Sequence, residues 1–150
     1  MAAGQGREPA PEVYLAGRNI PSSFRRYSSA NVCLAGNVPD AFAFMGSKKL
    51  MVVPLLSGGG MRVKIVEGMA AGKTIVTTHI GAEGTGCVHG QHLLIAHSPE
   101  QMAYWILHCF SEPDMAAGIA LQARQYAETA YDRKKIVDRL ITFYRTFCEQ

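Results

Sequence analysis

Two short runs, rich in apolar and β-branched residues, flank a segment with helical periodicity near the middle of this sequence. The runs are LMVVPLL, at residues 50–56, and KTIVTT, at residues 73–78, and the segment between them is MRVKIVEGMAAG, at residues 61–72. Unbroken runs of this kind are typical of strands that are buried on both faces. Strands that alternate with helices predict a parallel sheet whose two faces are covered by those helices.

The same alternation extends along most of the chain. Further strands are predicted at residues 13–17, 31–36 and 92–96, and short helices at residues 21–28 and 39–49. From Ser98 onward only helices are predicted, at residues 98–110, 112–131 and 132–150, the last with Ile136, Leu140, Ile141, Phe143 and Tyr144 on its apolar side. The predicted fold class is α/β, a Rossmann-like parallel sheet with flanking helices and a helical C-terminus. Such folds bind ligands at the carboxyl ends of their strands.

Length and composition suit one soluble domain. The chain has 150 residues, of which 48% are hydrophobic, and residues 12–150 are predicted to form the domain after a disordered or vector-derived start at residues 1–11. Its net charge of +3 is too small to argue for nucleic acid, although the basic FRRY and DRKK segments leave contact with an acidic lipid surface open. Without a signal-peptide core or an apolar run of about 20 residues, the expected location is the cytoplasm. The four cysteines lack paired spacing and are expected to be reduced thiols.

The segment GMAAGKT has the appearance of a phosphate-binding P-loop but lacks its spacing and context. Three residues separate Gly68 from Gly72, whereas the motif needs four, and the motif must follow a strand and open a helix. Here the segment is predicted to follow a helix and open a strand. Gly72 is therefore predicted to end that helix, with Lys73 beside the helix's last carbonyls.

Gly58, Gly59 and Gly60 have the right context for a phosphate site. They follow the strand at residues 50–56 and precede a helix predicted to begin near Met61. The free N–H groups and the positive dipole end of a helix start favour an anion. Arg62 and Lys64 lie in the first turn, where cations are unfavourable unless an anion binds there. The alternative is a strand-to-helix turn that binds nothing.

Glu67 lies opposite the apolar side of the same helix, on a strip with Lys64. It is either one partner of a solvated ion pair or a carboxylate that accepts hydrogen bonds from two ribose hydroxyls.

The stretch from residue 53 to residue 84, VPLLSGGGMRVKIVEGMAAGKTIVTTHIGAEG, resembles the donor-binding signature of the group 1 glycosyltransferases. These are retaining enzymes whose GT-B fold has two facing Rossmann-like domains. The sequence is similar in particular to a bacterial branch, and it matches that branch at Pro54, Leu55, Gly58, Gly60, Arg62, Lys64, Glu67, Ala70, Gly72, Lys73 and Gly81–Gly84. The resemblance covers about residues 12–147 and implies the C-terminal, donor-binding half of the fold.

The resemblance also implies roles for individual residues. Glu67 corresponds to the second acid of the family's paired-glutamate motif, which binds the nucleotide ribose. The residues matched to the diphosphate and the sugar are Gly58, Gly59, Gly60 and Met61, with Arg62 and Lys64 adding charge. Gly36, Asn37 and Val38 match the loop whose backbone flanks the nucleobase. No catalytic residue is assigned.

Two departures from the family pattern concern this site. The first acid of the paired motif would fall at Gly59, and the Arg and Lys that grip the diphosphate in most members lie upstream of anything in this chain. Arg62 and Lys64 are candidates to replace that grip.

The function implied by the resemblance is transfer of a sugar, with retention, from a UDP-, GDP- or similar nucleotide sugar to a glycan or lipid-linked acceptor, as in bacterial polysaccharide biosynthesis. Neither a metal nor a cofactor is expected. The acceptor would bind through an N-terminal domain outside these residues, so the isolated domain is expected to be inactive. The location could include the inner face of the membrane. The alternatives are a non-catalytic nucleotide-binding or docking module and a nucleotide-sugar epimerase of the same fold.

Other side chains are predicted to have lesser roles. Cys87, His89 and His92 lie close in sequence but fit no standard zinc spacing. His79 follows a strand and is predicted to lie near the ligand-facing rim. Tyr104 and Trp105 are predicted to lie in the core.

Overall fold

The computed structural model describes residues 10–148, so the predicted disordered start lies almost wholly outside the described residues. The chain forms two compact units, Met1–Ala41 and Phe42–Gln150. In the first unit, β1 (Val13–Ala16) pairs in parallel with β2 (Val32–Gly36), and a 3-10 helix spans Ser22–Tyr27 between them. These elements confirm the strands and the short helix predicted for this part of the sequence.

The second unit is a parallel three-stranded sheet with helices on both faces. Its strands lie in the order β3 (Leu50–Val53), β4 (Thr74–Thr78) and β5 (Leu94–Ala96). The helices in the remainder of the chain are α1 (Ala41–Gly46), α2 (Val63–Ala70), α3 (His79–Ala82), α4 (Pro99–Ser111), α5 (Pro113–Ala130) and α6 (Arg133–Cys148). Both neighbours of β4 run parallel to it. The predicted fold class is confirmed.

The core of the second unit is built on β4. Thr74, Ile75, Val76 and Thr77 are at most 3% exposed. Successive side chains of a strand point to opposite faces, so Ile75 packs with α2 and the later part of α5, while Val76 packs with α4 and the start of α5. Burial on both faces is why this strand reads as a continuous run in the sequence.

Four local predictions differ from the structure. The strand predicted at residues 50–56 ends at Val53, because Pro54 has no N–H to continue the ladder. Helix α2 begins at Val63 instead of near Met61, since the backbone of the glycine loop extends to Arg62. The short helix α3 was not predicted. Tyr104 is 56% exposed, whereas its neighbour Trp105, turned by about 100° around the helix, packs against the core.

The loop that joins α3 to β5 is held by two tyrosines. The hydroxyls of Tyr126 and Tyr131 both donate to the carbonyl oxygen of Thr85, at 3.1 Å and 2.6 Å. Thr85 itself is 1% exposed, and its hydroxyl donates to the carbonyl of Ala82. The loop that follows α3 is thereby fixed to α5. Burial, with the neighbouring Tyr126 and Cys87, raises the pKa of Tyr131 to about 12.

This pKa makes the stability of the fold sensitive to alkaline pH. The folded protein holds the Tyr131 proton more tightly than the unfolded chain, where a tyrosine has a pKa of about 10. The resulting stabilisation is complete below pH ~10 and is lost as the pH rises from about 10 towards 12. Near neutral pH, urea titration should show Tyr131→Phe to be less stable than wild type by about 0.5–1.5 kcal/mol, the contribution of one hydrogen bond.

The difference between wild type and Tyr131→Phe should shrink across the alkaline window. Tyr144→Phe, on the exposed surface of α6, is the matched control and should follow wild type at every pH. A wild-type advantage that stays constant between pH ~9 and ~12 would show that the Tyr131 proton is not held by the fold.

Candidate functional site

The glycine loop, residues 57–62, connects β3 to α2 at the carboxyl edge of the second unit's sheet. Gly58 and Gly60 have φ angles of 117° and 79°, which side chains other than glycine rarely tolerate. The two glycines therefore permit a turn that returns the chain tightly from the end of the strand to the start of the helix. The backbone conformation therefore requires glycine at two positions of the predicted site.

Arg62 is folded back against this loop. Its Nη1 donates to the carbonyl oxygen of Gly59 at 3.0 Å. A Cβ atom on Gly58 would lie 2.5 Å from Nη2, so only glycine leaves room for the guanidinium. Nε and Nη2 are buried and have no hydrogen-bond partner among the residues that the structure describes. A half-buried guanidinium thus lies against the loop with two donors unused.

The start of α2 offers a positive electrostatic environment. Arg62 occupies the N-cap position and provides no side-chain cap, and the first turn contains no acidic residue. Lys64 adds a second cation to the positive end of the helix dipole. Because α2 begins two residues later than predicted, Lys64 lies in its first turn as expected, whereas Arg62 precedes that turn.

Glu67 forms the predicted pair with Lys64. The distance from Lys64 Nζ to Glu67 Oε2 is 2.8 Å, and the two side chains are 61% and 42% exposed. An exposed pair at this spacing contributes only about 0.2–0.5 kcal/mol to the helix. Its geometry leaves both interpretations of Glu67 standing, and the ribose contact stays a prediction.

The segment HIGAEG, from residue 79 to residue 84, supports the glycine loop from the other side. The Thr78 hydroxyl caps α3 by accepting from the N–H of Gly81 at 3.1 Å, and it donates to the carbonyl of Leu55. Gly84 has a φ of 72°, and a Cβ there would lie 3.4 Å from the backbone nitrogen of Met61. Sequence analysis missed this support, although a threonine ahead of a short segment is a known N-cap signal.

His79 is the first residue of α3 and is exposed. It directly follows β4, as predicted, at the same edge of the sheet as the glycine loop. Its contribution to ligand binding stays a prediction.

The GKT segment lies at the opposite edge of the sheet, where β4 begins. Gly72 has a φ of 66°, its N–H bonds the Met69 carbonyl, and the N–H of Lys73 bonds the Gly68 carbonyl. This is the Schellman arrangement that ends a helix, so the rejection of a P-loop is confirmed. The predicted position of the Lys73 ammonium is wrong: it donates at 2.7 Å to Gly46 and Lys48, at the end of α1 and not of α2.

The predicted nucleobase loop lies in the first unit. β2 ends at Gly36, whose φ is 64° and whose carbonyl accepts from the N–H of Gly17 at 2.8 Å. Asn37 and Val38 follow directly. The positive φ explains the glycine, and the role of these three residues towards a nucleobase stays a prediction.

The cysteine and histidines before β5 have structural roles. His92 Nδ1 accepts from the N–H of Val88, and His89 Nδ1 accepts from the N–H of Ile95. Burial lowers the pKa of His92 and raises the pKa of the Cys87 thiol, so both groups favour their neutral forms. No group of three metal-ligating side chains occurs within residues 10–148, and all four cysteines are free thiols.

The parallel sheet, its flanking helices and the glycine loop at its carboxyl edge define a Rossmann-like α/β domain. Residues 3–112 match the family described as Glycosyl transferases group 1, and the chain therefore belongs to this family. An uncharacterized 44.6 kDa protein in the cps region of Klebsiella pneumoniae is 32% identical over 87 residues, which make up 58% of this chain and 22% of that protein.

Solved structures share the fold at low sequence identity. HepE of Anabaena, in complex with UDP, has a TM-score of 0.80 and 18% identity, over 93% of this chain and 42% of HepE. A glycosyltransferase from Rickettsia africae has a TM-score of 0.77 and 17% identity, over 93% of this chain and 41% of that protein. Sucrose-phosphate synthase from Thermosynechococcus elongatus has a TM-score of 0.76 and 15% identity, over 92% of this chain and 39% of that protein. The chain thus spans about two fifths of these proteins.

The two hydrogen bonds of Lys73 predict a purely structural role for the GKT lysine. Replacing it in Lys73→Met leaves two carbonyls without their charged donor, so we expect a loss of about 1.5–3 kcal/mol in the free energy of unfolding. Nucleotide affinity, measured by calorimetric titration with UDP at a temperature where both proteins are folded, should stay within about twofold. A loss of UDP binding without a loss of stability would show that the phosphate binds at GKT.

Proposed function

We propose that this chain is the donor-binding part of a retaining glycosyltransferase that uses a nucleotide diphosphate sugar. The diphosphate binds at Gly58–Arg62, and Glu67 accepts hydrogen bonds from the ribose hydroxyls. The sugar passes to a glycan or lipid-linked acceptor held by residues beyond this chain. The observation that carries this proposal is the half-buried guanidinium of Arg62, two of whose nitrogens have no partner among the described residues.

Burying a cation without a partner is costly, because its hydration is lost and nothing replaces it. Part of this cost falls on the half-buried Arg62, because its Nη1 donates to the Gly59 carbonyl whereas Nε and Nη2 have no partner among the described residues. A diphosphate supplies both the opposite charge and several acceptor oxygens, and guanidinium–phosphate bonds are among the stronger hydrogen bonds in proteins. A loop that served only to connect β3 to α2 would use the bond from Nη1 to the Gly59 carbonyl but not the two remaining donors.

The same groups give the site a chemical role. Negative charge develops on the diphosphate as the bond to the sugar breaks. The positive end of α2, with Arg62 and Lys64, stabilises that charge electrostatically and therefore favours departure of the nucleotide diphosphate. Because these groups are fixed before the reaction, they need not reorganise during it.

Related proteins indicate which donor to test first. HepE has been solved with UDP, with UDP and glucose, and with UDP-glucose. We therefore infer a uridine diphosphate sugar as the donor. The Klebsiella pneumoniae relative in a cps region supports a glycan as the acceptor. Membership in a transferase family favours this function over an epimerase or a docking module. We expect the 150-residue chain alone to bind UDP without transferring a sugar.

Glu67→Gln tests the ribose contact. The change keeps the shape of the side chain but removes its charge, and hydrogen bonds to charged groups contribute about 1.5–3 kcal/mol. Calorimetric titration should show affinity for both UDP and uridine to fall by about tenfold or more, because both contain the ribose. Melting curves should hardly change, since the pair with Lys64 is exposed.

Glu128→Gln is the matched control for that change. Glu128 forms an equally exposed pair with Arg124 at 2.8 Å, on α5. It should leave both affinities as in wild type. Equal affinities in wild type and Glu67→Gln would reduce Glu67 to one half of a surface ion pair.

Arg62→Gln tests the diphosphate contact and should give a different pattern. Loss of the guanidinium should weaken UDP binding by about tenfold or more. Uridine, which has no phosphate, should bind within about threefold of its wild-type affinity. Arg124→Gln, the exposed arginine on α5, is the control. If Arg62→Gln weakens uridine as much as UDP, the arginine holds the shape of the loop and does not contact phosphate.

A further inference from the structure

The carbonyl oxygen of Thr85 accepts hydrogen bonds from two side chains at once, the hydroxyls of Tyr126 and Tyr131. A backbone carbonyl has two lone pairs, so these donors fill its capacity. The N–H of Thr85 donates to the Ala82 carbonyl at 3.2 Å, and its hydroxyl donates to the same carbonyl and accepts from the N–H of Cys87 at 3.3 Å. Each hydrogen-bonding group of Thr85 is thus engaged, which fixes this point of the loop.

The glycines on either side of Thr85 leave room for different neighbours. Gly86 has a φ of 64°, and a Cβ there would lie 2.5 Å from the hydroxyl oxygen of Tyr126, so a larger residue would displace that hydroxyl. Gly84 lies next to the backbone of Met61, which belongs to the glycine loop. Thr85 therefore joins α5 on one side to the glycine loop on the other.

The two tyrosines also pack against the helix that follows the glycine loop. They lie against the buried cluster that contains Ile65 and Met69 of α2. Tyr126 is stacked on His92, with 4.4 Å between ring centroids, and meets Tyr131 edge-on at 6.0 Å. Rings packed on these sides have little freedom to turn, so their hydroxyls keep a fixed direction towards the loop.

We propose that Tyr126 and Tyr131 are positioning residues of the phosphate site. Through Thr85 they hold Gly84 against the backbone of Met61, and this contact keeps the glycine loop in the conformation that presents its N–H groups to a diphosphate. A loop that is ordered before the ligand arrives loses no affinity to its own reorganisation. The inference rests on the proposed function for the identity of the ligand, whereas the support of the loop can be measured without one.

The double variant Tyr126→Phe with Tyr131→Phe removes both hydroxyls and keeps both rings. In heteronuclear NMR spectra of the free protein, the amide signal of Met61 should move, because the loop loses its support. Tyr144→Phe, on the exposed surface of α6, is the matched control and should leave that signal in place. Changes that surround Thr85 but do not reach Met61 would overturn the proposal, whether or not the protein binds a nucleotide.

Nucleotide affinity separates positioning from a general loss of stability. Calorimetric titration, at a temperature where all the proteins are folded, should show that the double phenylalanine variant binds UDP about fivefold or more weakly than wild type, because its loop adopts the binding conformation only part of the time. Uridine has no phosphate, and its affinity should stay within about twofold of the wild-type value.

Lys73→Met is the control for stability. We expect this variant also to be less stable than wild type, but Lys73 lies at the opposite edge of the sheet, so its affinity for UDP should be unchanged. Unchanged UDP affinity in the double phenylalanine variant, or an equal loss for UDP and uridine, would overturn the positioning role. Absence of UDP binding in wild type would instead contradict the proposed function, and the amide signal of Met61 would still decide whether the tyrosines support the loop.

Discussion

The second unit depends on a single constraint, the burial of β4 on both of its faces. A strand in that position must satisfy its polar atoms within the protein, and the two buried threonines at its ends do so. Thr74 donates to the Ala116 carbonyl at 2.7 Å, and Thr77 donates to the Val53 carbonyl at 2.9 Å. These bonds join the strand to α5 at one end and to β3 at the other. Because parallel strands share a direction, their carboxyl ends meet at one edge, and the glycine loop is placed there.

At that edge, the backbone segments around the glycine loop are closely packed. Gly81 lies so near Thr77 that a Cβ atom would be 2.0 Å from the threonine hydroxyl oxygen, so α3 can approach β4 only through a glycine. Gly84 lies next to the Met61 backbone, and its φ of 72° favours glycine at that position. The loop proposed to bind diphosphate is thereby packed against a second backbone segment, which is tied through Thr85 to two tyrosines of α5. A preorganised site of this kind stabilises charge without having to move as the charge forms.

In two places at the surface of the unit, in contrast, groups lack a partner. Among residues 10–148, two donors of Arg62 have no partner and no residue of α6 is buried. Each is unfavourable when it lacks a partner, and the proposed diphosphate would supply one for Arg62. Arg62 lies at the start of α2, which the core fixes through Ile65 and Met69, so its cost does not threaten the fold. Incomplete satisfaction at the surface of a well-packed core is a common sign of function.

The sequence by itself determined the order of strands and helices, the parallel sheet, the family and the rejection of GKT, because these follow from periodicity, spacing and residue type along the chain. The pair of Lys64 with Glu67 was predictable for the same reason, as it lies within one helix. Only the tertiary structure decided that Lys73 bonds the end of α1, that Tyr104 is exposed and that the apolar side of α6 is not covered by other described residues. Each depends on atoms brought together from separate elements or on the absence of a neighbour, and local sequence patterns contain no record of such distances.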